Sequence, residues 1–229
     1  MLVKDPRAYL RFAHAERFAM PAFNVCNLEM TKAVLEAAVA ERAPLIVQTY
    51  PGDLSHASIG DVPGALADVV KSMAAQVDVP VFLHLDHGPS FEYDALCLRA
   101  GYSSVMFDGH ELPLEEAIAE TSAIANMAHA LGAAVEGELG TFGAGQGSHE
   151  YTNLAVSVGS QHGEASRLDM DLLSAITERA KRPLVLHGGS GIHPDDVRAA
   201  IQLGVVKINI GTGLFRAWNQ GSREALDAG

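Results

Sequence analysis

The feature that most constrains this chain is an alternation. Short β-prone runs are separated by amphipathic helical stretches, and the pattern yields eight runs: "PAFNV" (21–25), "PLIVQTY" (44–50), "PVFLHLD" (80–86), "SSVMFDG" (103–109), "AAVEGELG" (133–140), "LAVSVGS" (154–160), "PLVLHGGS" (183–190) and "VVKINIG" (205–211). Strands joined through helices run parallel, because a parallel crossover needs a dozen or more residues. Eight is the number that closes a (β/α)8 TIM barrel, and we expect one such domain over residues 1–229. A doubly wound open sheet would gather its polar groups near one switch point. Here they gather at the C-terminal ends of at least six of the eight runs, which favours the barrel.

The helical stretches carry matching end signals. "LPLEEAIAETSAIANMAHALG" opens with Pro113 and two glutamates and closes on Gly132, and "HPDDVRAAIQLG" repeats that grammar from Pro194 to Gly204. One connection resists the scheme. Only "TFGAGQGSHEYTN" joins the fifth run to the sixth, glycine-rich and without helical period, so an irregular or incomplete β5–β6 crossover is expected.

A net charge of −12 argues against nucleic acid or an anionic membrane as the main partner. It also means that an anionic substrate has to be held by local donors or a metal. Cys26 and Cys97 do not make a disulfide scaffold, and no apolar run reaches membrane-spanning length. The expected setting is cytoplasmic.

The chemistry sits at the run ends. In "HLDHG" (84–88), alternation sets Phe82, His84 and Asp86 on one face and Leu83 and Leu85 on the other. Glu136 and Glu138 share a face in the fifth run, and Asp108 ends the fourth. His87, His162 and His187 each precede a glycine, at three neighbouring-strand termini. A lone histidine of this kind is usually a hydrogen-bonded loop residue. Three in one setting fit a catalytic zinc, which takes three protein ligands and keeps a fourth position open. His84 is expected to be an interior polar group, and His14, His56, His110, His129, His149 and His193 to be surface, loop or helix residues. The loops "HGGSG" (187–191) and "NIGTG" (209–213) combine glycines with small hydroxyls ahead of helices. Backbone amides there can cradle a phosphate, and barrels often bind phosphate after strands seven and eight.

The motifs "AFNV", "HLDHG", "SSVMFDG", "VEGELG", "GSQHG", "LHGGSG" and "KINIGT", in this order and spacing, resemble the class II, zinc-dependent ketose-bisphosphate aldolases. The resemblance runs from about residue 5 to 217. It implies a barrel that cleaves a fructose- or tagatose-type ketose 1,6-bisphosphate to dihydroxyacetone phosphate and glyceraldehyde 3-phosphate through a zinc-stabilised enediolate. Carried over by motif, His87, His162 and His187 bind the catalytic Zn2+, and Asp108 and Glu138 are alternative or second metal ligands. Asp86 is the acid/base at the C4 hydroxyl. Asn24, Gly163, Gly188, Gly189, Ser190, Asn209, Ile210, Gly211 and Thr212 contact substrate, mostly its dihydroxyacetone phosphate end. A second divalent or a monovalent cation and a homodimer or homotetramer are further implications. Two departures stand out: the family's helix before the sixth strand is missing, and the second loop, "TYPGDLSHA", is closer to the tagatose type.

Four other readings compete. Lys207 shares the inward parity of Asn209, so a Schiff-base aldolase is conceivable, although a hydrogen-bonded lysine is the plainer reading. A metal-dependent hydrolase fits the histidines but not the paired glycine loops. An aldolase for another phosphorylated ketose is a further alternative, and a non-catalytic phosphosugar-binding barrel fits the damaged crossover.

Overall fold

The structure is a computed structural model and describes residues 1–56, 63–139, 152–161 and 164–228. Among them the eight runs form β1 (Met20–Asn24), β2 (Leu45–Thr49), β3 (Val81–Gly88), β4 (Ser104–Phe107), β5 (Ala134–Leu139), β6 (Asn153–Val156), β7 (Leu184–Leu186) and β8 (Val205–Ile210). They pair in parallel and in chain order, and β1 closes against β8 as a barrel. β3 therefore lies beside β2 and β4 and is no neighbour of β6 or β7. This corrects the expectation that the three histidine-bearing termini adjoin one another. Groups from β3 and β7 meet across the barrel mouth.

Helices α1 (Arg7–Glu16), α2 (Leu28–Glu41), α3 (Pro51–His56), α4 (Pro63–Ala74), α5 (Phe91–Ala100), α6 (Leu114–Ala130), α7 (Met170–Ala180), α8 (Pro194–Gln202) and α9 (Thr212–Asp227) occupy the connections. Local capping explains several starts. Asn27 accepts from the Met30 amide at 2.8 Å to begin α2, and Asp169 accepts from Leu172 at 2.9 Å to begin α7. No helix among the described residues is long and apolar enough to cross a membrane.

The alternation of each strand sorts its side chains into two layers. Val47, Leu83, Leu85, Val105 and Val135 face outward and pack against Val34, Leu35, Val70 and Ile124 of the surrounding helices. Leu154, Leu184 and Val205 do the same against Leu173 and Ala200. Each such side chain contributes about 1.5–3 kcal/mol on burial. At the N-terminal ends of the strands, Met20, Ala22, Ile46 and Phe82 pack with Leu10 and Ala13 of α1, which closes that end. The barrel's other end stays open.

β5 and β6 pair directly, from Glu136 beside Asn153 to Leu139 beside Val156. The sixth strand thus starts one residue earlier than the run in the sequence. The expected irregular crossover falls on residues 140–151, outside the described residues.

Candidate active site

A cavity of about 590 Å³ opens at the C-terminal mouth of the barrel. Asp86, near the end of β3, lines it and is held through both oxygens. Asn24 Nδ2 and Gln48 Nε2 donate to Oδ2 at 2.8 and 3.3 Å, and Asn209 Nδ2 donates to Oδ1 at 3.1 Å. Gln48 also donates to Asn24 Oδ1 at 2.7 Å, so β1, β2 and β8 together fix one carboxylate. Burial alone would raise its pKa, but the charges of His187, His87 and Lys207 and the Asn24 bond hold it below the ordinary value.

His87 reaches the cavity by a departure from alternation. Strict parity would send it outward with Leu83 and Leu85. Instead the pairing of β3 with β4 shifts register between Leu85 and Gly88, and His87 adopts φ 54°. A left-handed non-glycine residue costs energy, and a bulge of this kind re-aims a side chain. Gly88 is needed beside it. A Cβ there would overlap the Asp94 carboxylate and lie 2.8 Å from Leu85 Cδ2.

His87 Nδ1 is hydrogen-bonded to Asp108 Oδ2 at 2.7 Å, which leaves Nε2 toward the cavity, 3.9 Å from Asp86 Oδ1. Burial opposes a charge on this ring, but the Asp108 bond and the charges of Asp86, Glu138 and Asp108 outweigh it and raise the pKa to about 9. Asp108 Oδ1 accepts from His110, from its amide at 3.2 Å and with its Nδ1 at 2.7 Å. Burial would raise the Asp108 pKa, yet the two histidines hold it well below the carboxylate range.

His187, just past β7, faces His87 with ring centroids 5.3 Å apart. Its Nε2 is hydrogen-bonded to Glu136 Oε1 at 3.0 Å, while Nδ1 lies 3.9 Å from Glu138 Oε1. Glu136 is buried, and its Oε2 accepts from Lys207 Nζ at 2.8 Å and Asn153 Nδ2 at 2.7 Å. Its carboxylate is held well below its usual range despite burial, first by the charge of Lys207. His84 sits beside this pair with Nδ1 against Ser104 Oγ at 2.7 Å. Burial, then Lys207, depresses its pKa to about 3, so it is a neutral interior group.

This donor set fits a divalent ion. One ligand atom each from Asp86, His87 and His187 lies within 4.8 Å of the others, and the same holds for His87, Asp108 and Glu138. Two donors on one zinc at about 2.1 Å each stand up to about 4.2 Å apart, so only a small contraction is needed. The second nitrogen of each ring has a carboxylate partner, Asp108 for His87 and Glu136 for His187. Proteins orient metal-binding imidazoles in this way. His162 and Gly163 lie outside the described residues.

On the other side of Asp86, Gly188, Ser190, Asn209, Gly211 and Thr212 line the cavity. Ser190 Oγ accepts from the Gly213 amide at 2.9 Å and so ties the β7 loop to the first turn of α9, whose opening amides lack intrahelical partners. Gly188 adopts φ 69° against the Gln161 backbone, a conformation that suits glycine. Gly189 sits in the same turn, and the Ile210 side chain packs into the outer core rather than the cavity.

Sequence reasoning missed several residues here. Gln48 was signalled only by being polar in the buried run LIVQT. Tyr50, Asp53 and Phe215 also line the cavity, and nothing in their spacing marked them. His110, expected to be an ordinary loop residue, steadies Asp108. Glu136 was seen on the inward face without its bond to His187. Lys207 proves to be ion-paired with Glu136, the plainer of its two readings.

The sequence profile described as fructose-bisphosphate aldolase class-II matches residues 4–153 and 148–229. A fructose-bisphosphate aldolase of Streptococcus pyogenes serotype M1 is 36% identical over 248 aligned positions, covering 98% of this chain and 84% of the relative. One of Mycoplasma pneumoniae is 37% identical, covering 96% and 83%. Among solved structures, the YdjI aldolase of Escherichia coli K12 superposes with a TM-score of 0.88 at 32% identity, covering 99% of this chain and 88% of that one. The fructose-bisphosphate aldolase of Campylobacter jejuni superposes with 0.82 at 28%, covering 97% and 80%. The Streptococcus alignment needs 248 positions against a chain of 229 residues. The two pieces of the profile match meet at 148–153, just before the sixth strand.

Proposed function

The chain belongs to the class II fructose-bisphosphate aldolase family, whose members are zinc-dependent aldehyde-lyases, and on that premise we propose how its own residues break the C3–C4 bond of a ketose 1,6-bisphosphate. His87 through Nε2, His187 through Nδ1, and His162 would hold the zinc. The bound ion supplies a Lewis acid that draws electrons from the C2 carbonyl and lowers the cost of negative charge on C3. Asp86 takes the proton from the C4 hydroxyl in cleavage and returns it in synthesis. Asn24 and Asn209 hold Asp86 and meet substrate beside the bond being broken. Gly163, Gly188, Gly189, Ser190 and the stretch Ile210 to Thr212 hold the dihydroxyacetone phosphate end on backbone amides. Asp108 and Glu138 would serve as alternative or second metal ligands, and a second divalent or a monovalent cation would accompany the zinc. The names of the relatives favour the fructose epimer over the tagatose one.

One observation carries this reading: the Asp86 carboxylate, immobilised by three amides, stands beside two imidazoles whose far nitrogens are each tied to a carboxylate. One barrel domain over 1–229 works in the cytoplasm as a homodimer or homotetramer. The apolar Trp218 and Leu226, exposed on α9 without a buried residue on that helix, support the association. A coupled assay for triose phosphate, run with added zinc, tests the reaction. Release of both trioses from fructose 1,6-bisphosphate is the expected result, and tight ligand binding without release would leave only a phosphosugar-binding barrel.

A further inference from the structure

The cavity has two unlike halves. The β7–β8 side offers Gly188, Ser190, Gly211 and Thr212, a setting for one phosphate. The rest of the lining includes Tyr50 and Asp53, which follow β2, and Phe215 of α9, with no lysine or arginine among the described residues. The basic residues can be accounted for completely. The chain has 16 lysines and arginines, and none falls in residues 57–62, 140–151, 162–163 or 229, so all lie among the described residues. None of them lines the cavity. Lys207, the nearest by strand position, is buried against Glu136. Arg167 is bonded to Asp196, Arg198 is bonded to Asp195, and Arg216 is exposed on α9 next to the cavity-facing Phe215.

A phosphate dianion at the far end of a ketose chain would therefore meet a carboxylate and two aromatic rings. An anion in such a place lacks the charge-assisted donors that phosphate recognition uses. Sugar hydroxyls suit the same surface well: a carboxylate accepts two hydrogen bonds from neighbouring hydroxyls, and an aromatic face packs on their C–H bonds. Resting on the aldolase reading above, we propose that the chain also cleaves and forms ketose 1-phosphates, with Asp53 selecting an uncharged polyhydroxylated aldehyde as the second product. The chemistry balances without a further reactant. The C4 hydroxyl gives its proton to Asp86, the C3–C4 electron pair stays on C3, and C3 then takes up a proton. The products are dihydroxyacetone phosphate and the free hydroxyaldehyde.

The test compares kcat/KM of the zinc enzyme on fructose 1-phosphate and fructose 1,6-bisphosphate, following dihydroxyacetone phosphate by its reduction. Exchange of the C3 proton of dihydroxyacetone phosphate with deuterated water is followed in parallel, because that half-reaction needs no aldehyde. The bisphosphate should be preferred by less than tenfold, or not at all. Asp53→Asn and Asp53→Ser should each move the ratio toward the bisphosphate by at least threefold. A bisphosphate preference above tenfold, or a ratio that neither variant moves, overturns the proposal. Exchange without cleavage of either sugar overturns it too while sparing the enediolate chemistry. Loss of exchange as well overturns the aldolase reading along with it.

Discussion

At the scale of single residues, Asp86 and Asp94 are opposites built from one side chain. Asp86 is buried but surrounded by amide donors and imidazoles, so it stays ionised and able to accept a proton. Asp86→Asn keeps the shape and removes the acceptor. We expect kcat to fall about 10²- to 10⁴-fold with a much smaller change in KM, and steady-state kinetics on fructose 1,6-bisphosphate check it. A fall of less than tenfold would move the acid/base role elsewhere. Asp94, on α5 behind Gly88, is fully buried, and neither oxygen has a hydrogen-bond partner among the described residues. Burial, with the nearby charge of Glu120, raises its pKa to about 8 from an ordinary value of 3.8. The folded chain then keeps a proton that the unfolded chain has lost between those two values. Stability should fall by about 1.4 kcal/mol for each pH unit from about pH 4 to about pH 8, and level off above. Denaturant unfolding of the wild type and Asp94→Asn at pH 5, 6.5 and 8 measures it: the variant should lose most of this slope, and a wild-type slope that survives in the variant belongs to another group.

At the scale of elements, the strands were legible because each is a short β-branched or aliphatic run bounded by glycine, proline or a polar cluster, and the pattern repeats. Their ends were less so. β3 continues through His87 to Gly88, past where its apolar run stops, and β7 is only Leu184–Leu186. Alternation placed Asp86, Glu136 and Lys207 inward correctly, because parity is a property of the backbone alone. The bulge that turns His87 was invisible for a physical reason: it depends on Asp94 of α5 filling the space under Gly88 and on Asp108 of the β4 loop capturing Nδ1. Both are long-range contacts. Gly88→Ala tests the device. The added methyl would drive Asp94 or Leu85 away and disturb the left-handed turn at His87, at a cost of about 1–3 kcal/mol. Beyond that loss of stability, zinc affinity measured by chelator competition should weaken at least tenfold. Unchanged affinity in a folded variant would mean that the bulge does not position the ligand.

At the scale of the whole molecule, the closed barrel makes the mouth a meeting place for groups far apart in the chain. His87 and His187 are one hundred residues apart yet meet edge to face with ring centroids 5.3 Å apart. A metal held between them would tie β3 to β7 across the mouth, in addition to the hydrogen-bonded ladder around the wall. Ligand linkage sets the size of the effect: an ion at about a thousand times its Kd adds about 4 kcal/mol to unfolding. For a chain of this length each kcal/mol moves Tm by about 2–4 °C, so removing zinc should lower Tm by roughly 8–16 °C. Dialysis against a chelator, then calorimetry and the coupled assay before and after zinc is restored, measures both quantities on one sample. Activity should vanish with the metal and return with it. Borohydride added with dihydroxyacetone phosphate should leave the protein mass unchanged, because Lys207 is held by Glu136 as a buried ion pair rather than as a free amine. Activity that survives chelation together with a trapped adduct would transfer the chemistry from the imidazoles to that lysine.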